Sequence, residues 1–582
     1  MTARTYRFSV WAPLPARVAV RVAGQDHAMA AGADGWWHAD VPDVPADADY
    51  AFLLDDDPTP LPDPRSAWQP DGVHGPTRRY DHGAHRWQDA HWHGRPLAGG
   101  VVYQLHVGTF TEQGTFDAAA ERLDHLVRLG VDFVQLLPVN AFEGEAGWGY
   151  DGVLWFAVHQ PYGGPDAMKR FVDACHRHGL GVLLDVVHNH LGPAGAYLPR
   201  FGPYFADQTK WGPALNLDGP GSDEVRRYVL DNALAWLRDF HLDGLRLDAV
   251  HALRDGRAVH LLEELSVAVD ALSAHLGRPL ALLAESDQND PRLVTAREAG
   301  GFGLTALWND DVHHSLHAAL TGERHGYYAD YGPLRDLADA LRQVFLFTGR
   351  HSTFRGRGYG RPVDTARIPA SRFLVYVQSH DQVGNRAEGD RIGAALSPGL
   401  LGCAAAIVLC SPYTPMIFMG EEWGSRGPWE FFVSFHDEGL RAAVRQGRRR
   451  ELGATWGLEV SSDPGDPKTF LASKLRWSEL AEPEHQRIAE LYRDLIALRR
   501  ARPELTDPRL DRVGVDVDEA RRWLVVRRGA VSLVCNLAAE PQRVPLDAPP
   551  RELLLSSGPA DWHGSGLELA AESFAVVVTG VA

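Results

Sequence analysis

The chain has 582 residues, 45% hydrophobic and 23% charged, with 58 glycines and 38 prolines. Those proportions belong to an ordinary globular protein with apolar residues enough for a large core, and they exclude a disordered, collagenous or coiled-coil chain. The balance of 58 basic against 76 acidic residues leaves a net charge of -18, which argues against a nucleic-acid binder or a polybasic membrane-surface protein and favours a small or neutral partner.

At about 150 residues per domain the length alone suggests roughly four domains, but the texture of the chain divides it differently. From Thr5 to about Arg86 short alternating stretches (YRFSVWA, RVAVRV, WWHADV, YAFLLDD) are broken by Pro, Gly and Asp, the spacing of a small antiparallel β-sandwich. Within and beyond it, Pro58 to Gly99 is rich in Pro, His, Gly and Trp and reads as a linker that packs on its neighbour. From Gly100 eight apolar strand candidates (VVYQLHV, DFVQLLPV, GVLLDVV, GLRLDAV, LALLAES, TALWND, FLVYVQS, PMIFMG) each precede a helix candidate, which predicts an α/β chain with a central (β/α)8 TIM barrel. After Pro508 alternating strands return (RRWLVVRR, VSLVCNLA, RELLLSS, SFAVVVTG) and predict a second β-sandwich. The expected division is therefore 1–90, 91–505 and 506–582.

Four scattered cysteines (Cys175, Cys403, Cys410, Cys535) without a CxxC pair are too few for a disulfide framework and read as reduced core thiols. No signal peptide and no apolar run of membrane-spanning length is evident, so a cytoplasmic protein without membrane contacts is expected.

In a parallel barrel the chemistry sits at the carboxyl ends of the strands. The third run ends in Asp185, the fourth in Asp248, the fifth in Glu285 and the seventh in His380–Asp381, so four carboxylates should converge on one mouth. Unpaired carboxylates are costly to desolvate; Arg246, two positions before Asp248 on the same strand face, is a candidate partner that would keep Asp248 ionised. Two chemistries could use these groups. His188, His190 and Asp381 could hold a metal, although later strand ends supply Glu285 and Trp308 where further histidines would be needed. Alternatively, one carboxylate is a nucleophile and another a general acid across a glycosidic bond.

The blocks DVVHNH (Asp185 to His190), GLRLDAVH (Gly244 to His251), LLAESD (Leu282 to Asp287) and VQSHDQVGNR (Val377 to Arg386) resemble, in order and spacing, the four signature regions of the α-amylase superfamily of glycoside hydrolases. The resemblance implies that Asp248 is the nucleophile, Glu285 the general acid/base and Asp381 a third carboxylate that binds sugar hydroxyls. It implies that Arg246, His190, His380 and His251 hold the sugar, that Asp185 supports them and that Tyr150 in GWGYDG stacks on it. Glu285 must then keep its proton, so burial among anions must raise its pKa. Ser379 and Gln104 depart from the usual Asn and Glu.

Within the superfamily, VYQLHVGTFTEQGTF, AESDQNDPRLV, TALWNDDVHHSLHAALTGE and FRGRGYGRPV look like the malto-oligosyltrehalose trehalohydrolases. This implies maltooligosyltrehalose and maltooligosaccharides as partners and release of trehalose; the chemistry calls for no cofactor, and no metal ligand is assigned. Glycogen branching enzymes, which pass the same glucosyl ester to a sugar hydroxyl, are the alternative. A non-catalytic carbohydrate-binding relative would be expected to lack one of the three carboxylates, and all remain. Trp308, Asp310, Asp311, Trp423 and Trp429 stand where loops could shape the trehalose end.

Overall fold

The computed structural model describes residues 5–209, 212–457 and 462–579. Eight parallel strands close into a barrel: β1 (Val102–Leu105), β2 (Phe133–Leu136), β3 (Gly181–Val186), β4 (Gly244–Leu247), β5 (Ala281–Ala284), β6 (Ala306–Trp308), β7 (Phe373–Tyr376) and β8 (Thr414–Phe418). All eight runs expected from the sequence lie in it. They read as continuous apolar segments because both faces are buried, one in the lumen and one under helices. Val102, Phe133, Leu183, Leu283, Trp308, Tyr376 and Met416 fill the lumen. There Gly181 is obligatory, since a Cβ would sit 2.6 Å from the Phe133 ring.

Before the barrel, two antiparallel sheets stack around Phe8, Val10, Val20, Val22, Phe52 and Leu54. The same core runs on into barrel residues Trp155, Phe201, Tyr204 and Tyr228, so the sandwich shares its apolar interior with the barrel wall. After the barrel, a five-stranded and a three-stranded antiparallel sheet enclose Trp523, Val525, Val534, Leu567 and Val577. The opposite face of the larger sheet, with Leu533, Cys535, Phe574 and Val576, joins the main core with the helix Pro398–Leu409. That helix, PGLLGCAAAIVL, is apolar all round, as a helix enclosed on every side must be. All four cysteines are buried free thiols. Among the described residues no helix is long and apolar enough to cross a membrane.

The segment Pro58–Gly99 is stapled along the barrel. Trp68 donates to Gln160 (2.8 Å), Tyr80 to Asp166 (2.7 Å) and the Gln88 amide to Asp173 (2.8 Å). At the bottom of the barrel, where residues serve stability rather than chemistry, the staple is ionic. His176, on helix α1 (Gly164–Arg177), meets Asp89 of the segment at 2.9 Å through Nδ1 and Asp243, just before β4, at 3.0 Å through Nε2. Trp92 stacks on the imidazole and donates to Asp243. A ring bonded to a carboxylate at each nitrogen is an imidazolium donating twice. Burial alone would pull its pKa down, but the bonds to Asp243 and Asp89 outweigh this and raise it.

A raised folded-state pKa contributes stability fully present below the unfolded histidine value near ~6.5 and lost as pH rises through the folded value. His176→Gln should therefore lower stability by about 3 kcal/mol at pH 6, because one side of a buried ion pair is removed. The gap should narrow as pH rises, and thermal unfolding of both proteins from pH 6 to 9 measures it; a gap independent of pH would contradict a charged His176.

Candidate active site

A cleft of about 590 Å³ opens at the carboxyl ends of the strands. Its floor is organised by one guanidinium. Arg246 is on β4, 1% exposed, with its carbon face over the Trp308 ring at 4.6 Å. Its Nη1 donates to both oxygens of Asp185, each at 2.8 Å, and to Asp248 Oδ1 at 2.7 Å, while Nη2 lies 3.4 Å from Glu285 Oε2. Asp185 is fully buried beneath the cleft and receives the Tyr150 hydroxyl at 2.8 Å. Burial pushes its carboxyl up, to about 7, against the pull of Arg246.

Asp248 follows β4 directly and faces the cleft. Its second oxygen accepts from the Asn189 amide at 2.7 Å, so both oxygens are oriented by donors. The next residue, Ala249, takes the left-handed conformation (φ 41°, ψ 50°), a strained choice for a residue with a Cβ. That turn aims the Ala249 N–H at Glu285 Oε2, 2.7 Å away. Backbone N–H and Arg246 thus both address Oε2, leaving Oε1 as the oxygen to carry a proton. Burial raises the Glu285 pKa well above the ordinary carboxyl range, and Asp248, Asp381 and Asp310 raise it further against the opposing pull of Arg246.

Asp381 enters from the short helix α2 (His380–Gly384). Ser379 caps that helix in a reciprocal box with Gln382, which turns the first helical residues toward the lumen. Burial raises the Asp381 pKa, and Asn385 donates to its Oδ1 at 3.0 Å. His380 lies 2.8 Å from the Tyr150 hydroxyl, its backbone N–H bonds Gln104 at 3.1 Å, and burial keeps the imidazole neutral. His190 is neutral by the same cause. Behind α2, Trp148 stacks on Trp429 at 4.5 Å, and a Cβ on Gly384 would lie 2.0 Å from the Trp148 ring.

A neutral acid, an oriented carboxylate and neutral imidazoles on one wall form a site suited to acid-assisted displacement on an uncharged, hydroxyl-rich ligand. The comparisons with known proteins agree with this chemistry. A family model described as "Alpha amylase, catalytic domain" matches residues 84–202, and one described as "Domain of unknown function (DUF3459)" matches residues 508–576. The Mycobacterium tuberculosis protein named malto-oligosyltrehalose trehalohydrolase is 55% identical over 576 residues, covering 98% of each chain. A protein of the same name from Rhizobium sp. (strain M-11) is 51% identical, covering 95% of this chain and 94% of its own. The chain belongs to the malto-oligosyltrehalose trehalohydrolase family. A Salmonella typhimurium crystal structure described as an alpha amylase superposes with a TM-score of 0.91 at 36% identity, covering 100% of this chain and 98% of that one.

In this trehalohydrolase-family cleft, Asp248, Glu285, Asp381, Tyr150, His190, His380, His251 and Asp310 all line the wall. Asp310 accepts from the Tyr376 hydroxyl, and burial pushes its pKa up to about 6. Other expected residues do not reach it. Trp308 is a lumen residue beneath Arg246. Asp311 is buried and spent on the amides of Leu346 and Phe347, the Asn289 side chain and the Tyr331 hydroxyl. Trp423 points away, donating to Glu479 at 3.0 Å and packing on Trp477, and Trp429 is fully buried behind Trp148. Apolar rings and multiply bonded carboxylates were drawn into the core, which loop position in the sequence does not reveal. The H-x-H pair also separates: His188 is buried and bonds Asn232 at 2.8 Å, outside the cleft.

Sequence reasoning passed over Asn189 and Asn385, although both lie inside the quoted blocks. Phe354 and Arg355 open the quoted block FRGRGYGRPV but were not singled out, and there was no local signal for Tyr327, Arg448 or Glu451; these residues reach the cleft from later loops and from the helix Glu438–Trp456.

Gly384→Ala should cost about 2 kcal/mol, because the stacked indoles leave no direction for relief. It should also lower activity by moving Asp381 on the same turn; a variant with unchanged thermal unfolding and activity would contradict this packing.

Proposed function

We propose that the chain is a retaining glycosidase that hydrolyses the α-1,4-glucosidic bond next to the terminal trehalose of maltooligosyltrehalose, releasing trehalose and a maltooligosaccharide. The observation that carries the reading is the pairing of Asp248 and Glu285 on one buried guanidinium, with burial raising the Glu285 pKa well above the ordinary carboxyl range, in a chain whose full-length relatives carry the trehalohydrolase name. Glu285 gives its proton to the departing glycosidic oxygen while Asp248 attacks the anomeric carbon, breaking the C–O bond and forming a β-glucosyl ester. The ionised Glu285 then takes a proton from water, whose oxygen displaces Asp248 and restores the α configuration. Asp381 holds sugar hydroxyls, Tyr150 and His380 pack on the ring, and His190 and His251 contact its rim. Nucleophile, proton and water suffice for both steps, so no cofactor is drawn on.

The neutral substrate accords with a chain of net charge -18, which would repel a polyanion. The reading also puts the enzyme in the cytoplasm, in keeping with four free thiols. It treats 1–90 and 506–582 as modules flanking the catalytic unit 91–505.

Incubation with maltotriosyltrehalose should release trehalose. Branched product from amylose without trehalose would replace hydrolysis by transfer to a sugar hydroxyl.

Asp248→Ala and Glu285→Gln should each leave less than about 1% of turnover while the chain still folds. With a maltooligosyl fluoride, whose fluoride departs without a proton, ester formation should survive Glu285→Gln far better than Asp248→Ala. Because the Glu285 pKa is raised, wild-type activity should fall as pH rises through it and the acid loses its proton. Equal losses on the fluoride for the two variants would refute the division of roles.

A further inference from the structure

The helix α3 (Glu438–Trp456) follows β8 and lies along the cleft with Val444, Arg448 and Glu451 on its wall. Nothing in the hydrolytic chemistry requires it, yet one of its side chains reaches the catalytic centre. Arg448 Nη1 donates to Asn385 Oδ1 at 2.7 Å, and Nη2 donates to the Gly384 carbonyl at 2.5 Å. The guanidinium lies over the Phe431 ring, its Cζ 5.1 Å from the centroid, and the side chain is 9% exposed, with Glu451 3.3 Å away.

The fork settles two things at once. An amide can offer either its oxygen or its NH2 to a neighbour, and a carboxylate accepts only the NH2. With a cation on its oxygen, Asn385 must turn Nδ2 toward Asp381, where it donates to Oδ1 at 3.0 Å. The second arm covers a carbonyl at the end of α2 that has no helical partner, and it places positive charge at the negative end of that turn. We propose that Arg448 is a positioning residue for the reaction: through Asn385 and Gly384 it orients Asp381 and favours its ionised form, tying α3 to the catalytic carboxylate. This deepens the glycosidase reading and rests on it for the part played by Asp381.

The charges around Asp381 set the direction of the pH effect. Burial and the charge of Asp248 oppose its ionisation, and Arg246, Arg448 and the Asn385 amide favour it. Removing Arg448 therefore raises the pKa of Asp381, and the acidic limb of the activity profile moves to higher pH. A merely structural tie would leave that limb in place.

The experiment is a double-mutant cycle of Arg448→Met and Asn385→Leu, with Arg448→Lys in parallel. Trehalose release from maltotriosyltrehalose is followed as kcat and KM across pH. Arg448→Met should lower kcat about tenfold with KM changed less than about threefold, and the acidic limb should move up. Arg448→Lys restores a cation without the fork, so it should return the limb toward wild type while kcat stays reduced. The double variant should lose less than the product of the two single losses, because the Arg448–Asn385 contact is common to both. Unchanged kcat and pH profile in Arg448→Met, or losses that multiply in the double variant, would overturn the proposal. Should Arg448→Met fail to fold, an Arg448→Lys variant with wild-type kcat would overturn it equally. Trehalose release by the wild-type chain reports on the reaction itself, and the ratios of variants to it report on Arg448.

Discussion

One buried guanidinium sets the terms for the rest of the active site. Arg246 carries a single positive charge into a space occupied by Asp185, Asp248 and Glu285. One positive charge cannot balance three ionised carboxylates in the same low-dielectric space, so a neutral acid among them is favoured. Geometry decides which one. Asp185 and Asp248 have direct bonds at 2.7 to 2.8 Å, whereas Glu285 has the longer 3.4 Å approach and a backbone N–H on the same oxygen. The carboxyl whose pKa is raised well above its ordinary value is the one at the end of β5 facing the cleft.

The scaffold makes this arrangement possible by tolerating local costs near the site while binding firmly elsewhere. Ala249 occupies a left-handed conformation beside Asp248, and Gly384 meets an indole at a distance no side chain could accept. These are held in place by a barrel wall continuous with both flanking sheet modules and by the His176 staple beneath it. Strain at the top of the barrel and ionic closure at the bottom are thus complementary features of one fold, in line with the division of labour between the two ends of such barrels.

Much of this was legible in the chain. Eight apolar runs, each followed by an amphipathic stretch, have few alternatives to a parallel barrel, and the residue ending each run then falls at one mouth. The signals failed where they named a residue type and not a direction. Asp310 and Asp311 are adjacent, yet one faces the cleft and the other binds two loop amides. Trp423 and Trp429 are aromatic residues in loops, the common dress of a sugar site, and both are core. The departures at Ser379 and Gln104 prove to be accommodated: the serine caps α2 and the glutamine holds the His380 backbone.

By itself, the sequence determined the fold class and the carboxylates at the strand ends, because periodicity and strand termini are local properties and a closed parallel barrel converts them into a shared location. Tertiary structure alone decided how those acids share Arg246, which loop residues face the cleft, and that Arg448, more than sixty positions beyond Asp381, stands beside it. Proton states and contacts of that kind depend on distances between groups far apart in the chain, and those distances exist only once the barrel has closed.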